Sequence, residues 1–100
     1  MTIARMNGLL DATVAVPQHV VHRAFPTETV VLNLETGMYH GLNPVAGRML
    51  EVLEQLGSVS EAATRLAREF AQPLERIQED LGQLCSDLQQ RGLIEVTSAG

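Results

Sequence analysis

The residues able to do chemistry are few and scattered. His19 and His22 stand three apart in a stretch that also holds the β-branched Val14, Val16, Val20 and Val21. In an extended chain an odd spacing sends side chains to opposite faces, so the two imidazoles do not converge on one metal and are read as surface or half-buried groups. Cys85 is the single cysteine of the chain. It adjoins Leu81 and Leu84 on an apolar helical stripe with no basic residue one turn away, the setting of a packed structural thiol rather than a thiolate nucleophile. The carboxylates Glu75, Glu79, Asp80 and Asp87 fall on polar positions of the same predicted helix. Acid/base work needs burial that separates two pKa values, and these positions predict a solvated face instead. The glycines at 37, 41, 47, 57, 82 and 92 do not cluster ahead of a helix, so no phosphate loop is expected. These residues predict no catalytic group, no metal ligands and no cofactor, and an enzyme reading lacks a convergent site.

The whole chain supports a binding role more readily than a catalytic one. Its 100 residues, 45% hydrophobic and 19% charged, suit one compact domain and leave no room for a second catalytic domain. Seven arginines and no lysine stand against twelve acids, a formal charge of −5. Nucleic-acid binders gain most of their affinity from basic surfaces that displace counterions, so this balance argues against such a partner. A lone thiol on an apolar stripe suits a reducing compartment, and the chain is read as cytoplasmic. No apolar run approaches the ~20 residues that span a bilayer, and Met1 to Ala12 lacks the basic start and apolar core of a signal peptide. A membrane partner is not expected.

The elements follow from local pattern. Residues 1–13 carry no period and read as a flexible N-terminal arm, 14–96 as the folded domain and 97–100 as a tail. Val14 to Phe25, interrupted by Pro17 and closed by Pro26, reads as a first strand confined to a sheet edge. Glu28 to Leu34 reads as a second, and Glu35-Thr36-Gly37 turns it back into a third, Met38 to Leu42. Asn43 caps the next segment and Pro44 opens it, starting a helix with Val45, Met49, Val52, Leu53 and Leu56 on one face and Gly57 as its stop. Ser58 and Glu61 predict a capping box for a second helix through Phe70, with Pro73 ending that helix and starting the next. The third helix carries Leu74, Ile77, Leu81, Leu84 and Leu88, and Gly92 leads into a short strand-like Leu93 to Val96. The fold class is therefore α+β: a three-stranded antiparallel β-meander followed by three helices, winged-helix-like with its sheet placed first.

In a meander the second strand is central, which leaves the first and third as edges. The first is blunted by Pro17, Arg23 and Pro26. Met38-Tyr39-His40-Gly41-Leu42 has neither proline nor charge, and Gly41 lets another backbone come close, so this edge is open to strand addition by a peptide unless the arm or the terminal strand covers it.

The order Glu35-Thr36-Gly37-Met38-Tyr39-His40-Gly41-Leu42-Asn43, a helix, a second capped helix, then a third ending Arg91-Gly92-Leu93-Ile94-Glu95 resembles the PqqD-like family, the RiPP recognition elements. The likeness runs from about Val14 to Val96, and its hallmarks are T-G-x-Y-x-x-L-N and the later G-L-I-E. It implies a non-catalytic domain that binds the leader of a ribosomally made precursor peptide as an extra strand beside the third strand and against the third helix. The implied contacts are Met38, Tyr39, His40, Gly41 and Leu42 on the strand, with Ile77, Asp80, Leu81, Leu84 and Asp87 on the helix. His40 departs from the aromatic residue the family often has there. A stand-alone acidic form of this length looks most like those of lasso-peptide biosynthesis, which partner a leader peptidase and an ATP-dependent macrolactam synthetase; forms serving a radical-SAM enzyme share the pattern. The competing class is a winged-helix transcription regulator. Against it, the third helix sets Glu75, Glu79, Asp80 and Asp87 against Arg76 and Arg91, the wrong sign for a helix that meets phosphates.

Overall fold

The computed structural model describes residues 10–98. In chain order these form β1 (Thr13–Ala15), β2 (Val20–Ala24), β3 (Thr29–Asn33), β4 (Tyr39–Leu42), α1 (Pro44–Leu56), α2 (Val59–Phe70), α3 (Leu74–Gln90) and β5 (Glu95–Thr97). The α+β class holds: β2, β3 and β4 make an antiparallel meander, and three helices follow it.

The expected first strand is two strands. Pro17 has no N–H to give a ladder, and its carbonyl accepts from Val20 N at 3.0 Å, so the chain turns between β1 and β2. Freed from the meander, β1 pairs antiparallel with β5, setting Val14 opposite Val96 and Thr13 opposite Thr97. Those two threonines lie just outside the expected folded span. Val14 N donates to Gly57 O at 2.7 Å and Val59 N to Ala12 O at 3.2 Å, which fastens β1 to the junction of α1 and α2. Ala12 is buried accordingly. The rest of the expected arm, residues 1–9, and the end of the tail, 99 and 100, lie outside the described residues.

Between β3 and β4 the turn is built by one side chain. Asn33 Oδ1 accepts from Glu35 N at 2.9 Å and Thr36 N at 3.2 Å, and Gly37 takes φ +75°, a conformation glycine adopts without Cβ strain. Met38 still accepts from Asn33 N, but its own amide turns away to Thr36 Oγ1, so regular pairing starts one residue later than expected, at Tyr39.

The helices begin as the sequence indicates. Asn43 Oδ1 accepts from Ala46 N at 2.8 Å ahead of α1, and Ser58 Oγ accepts from Glu61 N at 3.2 Å ahead of α2. One boundary differs. α2 stops at Phe70 because Ala71 swings to φ 52° and Gln72 N closes back on Ala67 O, so Pro73 caps α3 and does not end α2. The buried stripes are Met49, Leu50, Val52 and Leu53 of α1, Ala62, Ala63 and Leu66 of α2, and Ile77, Leu81, Cys85 and Leu88 of α3. They form one core with Val31, on the buried face of β3 that also carries Thr29 and Asn33, and α1 packs against that strand. Each fully buried leucine contributes about 1.5–3 kcal/mol relative to exposure, so this shared core fixes where the sheet edge stands. No helix among the described residues is long and apolar enough to cross a membrane.

Candidate functional site

The strand register decides which groups of the β4 edge are free. Asn33 N donates to Met38 O at 3.0 Å, and the ladder continues with Val31 opposite His40 and Thr29 opposite Leu42. On the far side of β3, Phe25 N donates to Glu28 O and Leu34 N to His19 O, which assigns the even residues of β3 to β2 and the odd ones to β4. Antiparallel ladders alternate bonded and non-bonded pairs, so His40 and Leu42 spend their main-chain groups on β3, as Met38 does its carbonyl. The N–H and C=O of Tyr39 and Gly41 point to the vacant side. Among the described residues no strand pairs there: β5, one of the two segments expected as covers, pairs with β1, and the described part of the arm lies against the α1–α2 junction.

The two faces of this edge differ. His40 and Leu42 share the helix-covered face with Val31 and Thr29; Leu42 is buried and His40 half-buried. Tyr39 and Gly41 share the outer face with Leu32 and Val30, and Tyr39 is 70% exposed. Met38 is exposed beside them. The edge therefore combines free main-chain groups, a projecting aromatic ring and a bare Cα.

The five helical residues share one side of α3 but differ in burial. Ile77 and Leu81 are buried in the core. Ile77 forms part of the floor, and exposed Asp80 part of the rim, of a groove of about 360 Å³ that is also lined by Val45, Met49, Phe70 and Arg76. Leu84 is half-buried, packed against the core. Asp87 accepts from Arg91 Nε at 3.2 Å within its own helix. The sequence reading missed Val45, Met49, Phe70 and Arg76 as groove residues. The available signal was Val45 directly after Pro44 and Arg76 in the first turn after Pro73, at two helix starts that short connections bring together.

The other reactive candidates stay apart. His22 Nε2 lies 2.9 Å from Glu54 Oε1, tying β2 to α1, while His19 Nε2 lies 3.8 Å from Glu35 Oε1 at the turn. Burial pushes the Cys85 thiol up to about 11, which keeps it protonated and unreactive at neutral pH. Arg48 holds Glu69 through two hydrogen bonds of 2.8 Å, and these lower the Glu69 carboxyl below its ordinary range. Among the described residues no three His, Cys, Asp or Glu side chains are grouped to hold a metal ion.

Fold and edge together define an α+β module whose distinguishing feature, among the described residues, is an outer strand with one unpaired side. The chain belongs to the PqqD family: the family's sequence profile, coenzyme PQQ synthesis protein D, matches residues 28–94. No curated protein matches it. Two solved structures share its fold. TbiB1 in complex with the TbiA(beta) leader peptide superposes with TM-score 0.73 at 27% identity, over 81% of this chain and 94% of that one. A lasso peptide synthetase B1 complexed with the leader peptide gives TM-score 0.73 at 19% identity, over 83% and 98%. These likenesses lend no support to the transcription-regulator reading, and α3 exposes Glu75, Glu79 and Asp80.

Proposed function

We propose that this protein is a non-catalytic, cytoplasmic peptide chaperone: it binds the leader of a ribosomally made precursor by strand addition and delivers the precursor to separate enzymes. The observation that carries the reading is the β4 edge, where the main-chain groups of Tyr39 and Gly41 face a side on which no strand pairs among the described residues. A leader adds there as a fourth strand, its main chain supplying affinity and its alternate side chains specificity. On the helix-covered side, the half-buried His40 and Leu84 and the groove at Ile77 and Asp80 offer apolar and polar contacts. Leu42 and Leu81 support that surface from beneath. An unstructured leader loses conformational freedom on binding, so a strand held ready by the core lowers the cost of association.

The likeness to two proteins solved with leader peptides supports this reading and favours lasso-peptide biosynthesis, with a leader peptidase and an ATP-dependent macrolactam synthetase as the enzymes served. Amide exchange followed by NMR tests it directly. Addition of the leader encoded beside this gene should slow exchange at the Tyr39 and Gly41 amides, leaving His40, already bonded within the sheet, little changed. Protection confined to another surface would remove the reading.

A further inference from the structure

Glu28 stands immediately before β3 and shares the outer face with Val30 and Leu32. Its carboxylate fills space that Gly41 leaves vacant: a Cβ placed on Gly41 would lie 2.9 Å from Glu28 Oε1. Gly41 is one of the two residues whose main-chain groups face the vacant side of β4. Lateral neighbours in a sheet point their side chains to the same face whichever way the strands run. The residue of an added strand that lies abreast of Gly41 therefore projects on the outer face. No Gly41 side chain separates it from Glu28.

Reach and charge agree. Hydrogen-bonded partners in an antiparallel pair have Cα atoms about 5.5 Å apart, a gap that the stem of Lys or Arg crosses easily. Among the described residues Glu28 takes part in no ion pair. On the same face Arg23 lies on β2, the far strand, with its guanidinium 5.5 Å from the Phe25 ring centroid. The groove at Asp80 also holds Arg76, so the two offset each other there, while the whole chain carries −5.

We propose that Glu28 is a specificity-determining residue of the peptide edge, selecting Lys or Arg at the leader position abreast of Gly41. This rests on the strand-addition reading and adds the chemical class of one leader residue. Opposite charges facing one another across strands attract and like charges repel, so a carboxylate at that leader position is disfavoured as firmly as a cation is favoured. At an exposed site the preference for Lys over Glu should be about five-fold and should shrink as salt rises.

The test is selection of random extended peptides, displayed on their own mRNA, by the wild-type protein and by Glu28→Gln, Glu28→Lys and Glu95→Lys. The last makes the same charge change on β5, away from the edge. Wild type and Glu95→Lys should enrich Lys or Arg at one aligned position, Glu28→Gln should lose that enrichment, and Glu28→Lys should replace it with Asp or Glu. Circular dichroism confirms that each variant is folded. Identical pools from wild type and Glu28→Lys would overturn the role of Glu28 while leaving strand addition in place. Failure of the wild type to enrich any peptide would remove both.

Discussion

Gly47 of α1 packs directly on Thr29 of β3: a Cβ at Gly47 would fall 2.6 Å from the Thr29 Cβ, far inside van der Waals contact. Thr29 is buried and opposite Leu42, the last residue of the open strand. This contact sets how closely the first helix approaches the sheet, and so where the edge stands relative to the groove at Val45 and Ile77.

Gly47→Ala puts two effects in competition. Alanine gains roughly 1 kcal/mol over glycine in a helix interior, whereas a rigid overlap in a packed core costs about 1–3 kcal/mol. Overlap wins here because Thr29 is held on the central strand and cannot withdraw. The variant should melt below wild type, and since α1 must lift from the sheet, leader affinity should fall with it. A melting temperature above wild type would show that the helix relaxes freely.

Cys85 should matter for packing and not for reactivity. Cys85→Ala removes one sulfur from the buried stripe of α3, at a cost on the order of 1–2 kcal/mol, with leader affinity nearly unchanged. The thiol also makes stability fall with alkali. Its folded pKa of about 11 lies above the ordinary 9.0, so its contribution is complete below pH 9 and is lost as pH rises through 11. Wild type should lose on the order of 2–3 kcal/mol more than Cys85→Ala across that window, read by denaturant titration at successive pH values. Parallel losses in the two proteins would disprove the buried-thiol account.

The Arg48–Glu69 pair joins α1 to α2 but is about one-third exposed on each side. Water screens such pairs, so Glu69→Gln should cost less than about 1 kcal/mol near neutrality despite two short hydrogen bonds. The Glu69 carboxyl is lowered, so its stabilising effect is present above the ordinary carboxylate pKa and fades as pH falls. Acid unfolding should narrow the difference between wild type and Glu69→Gln, and a widening gap would contradict the assignment.

Most of the fold was legible because the strongest signals were local. The Asn43-Pro44 start, the Ser58 cap and the turn at Gly37 each depend on neighbours within three residues, and each helix stripe repeats over several turns. What the sequence could not give was partner choice. Nothing in Thr13-Val14-Ala15 distinguishes pairing with the meander from pairing with β5, because the two alternatives differ only in contacts made at the other end of the chain. The same limit applied to the site. Alternation announced that either His40 or Gly41 would face outward, but the phase is fixed by bonds on both sides of β3, Asn33 N to Met38 O and Leu34 N to His19 O among them. Leu81 stood on the apolar stripe of its helix, which pointed to the core where it lies, while its place among the implied peptide contacts came from the resemblance alone.

That phase separates two neighbouring proline substitutions. Gly41→Pro removes an amide that faces the vacant side of β4, so the ladder to β3 keeps its bonds; the added Cβ meets the Glu28 carboxylate, at the end of a flexible exposed side chain. His40→Pro instead removes an amide spent on Val31, the fully buried centre of β3, and should destabilise the protein outright. Leader binding measured by fluorescence anisotropy should weaken at least ~10-fold, about 1.4 kcal/mol, in Gly41→Pro, with its circular dichroism and melting temperature close to wild type. His40→Pro should show a lowered melting temperature, and whatever fraction remains folded should retain the Gly41 amide and bind more tightly than Gly41→Pro. Full leader affinity in a folded Gly41→Pro protein would place the peptide away from β4 and refute strand addition at this edge.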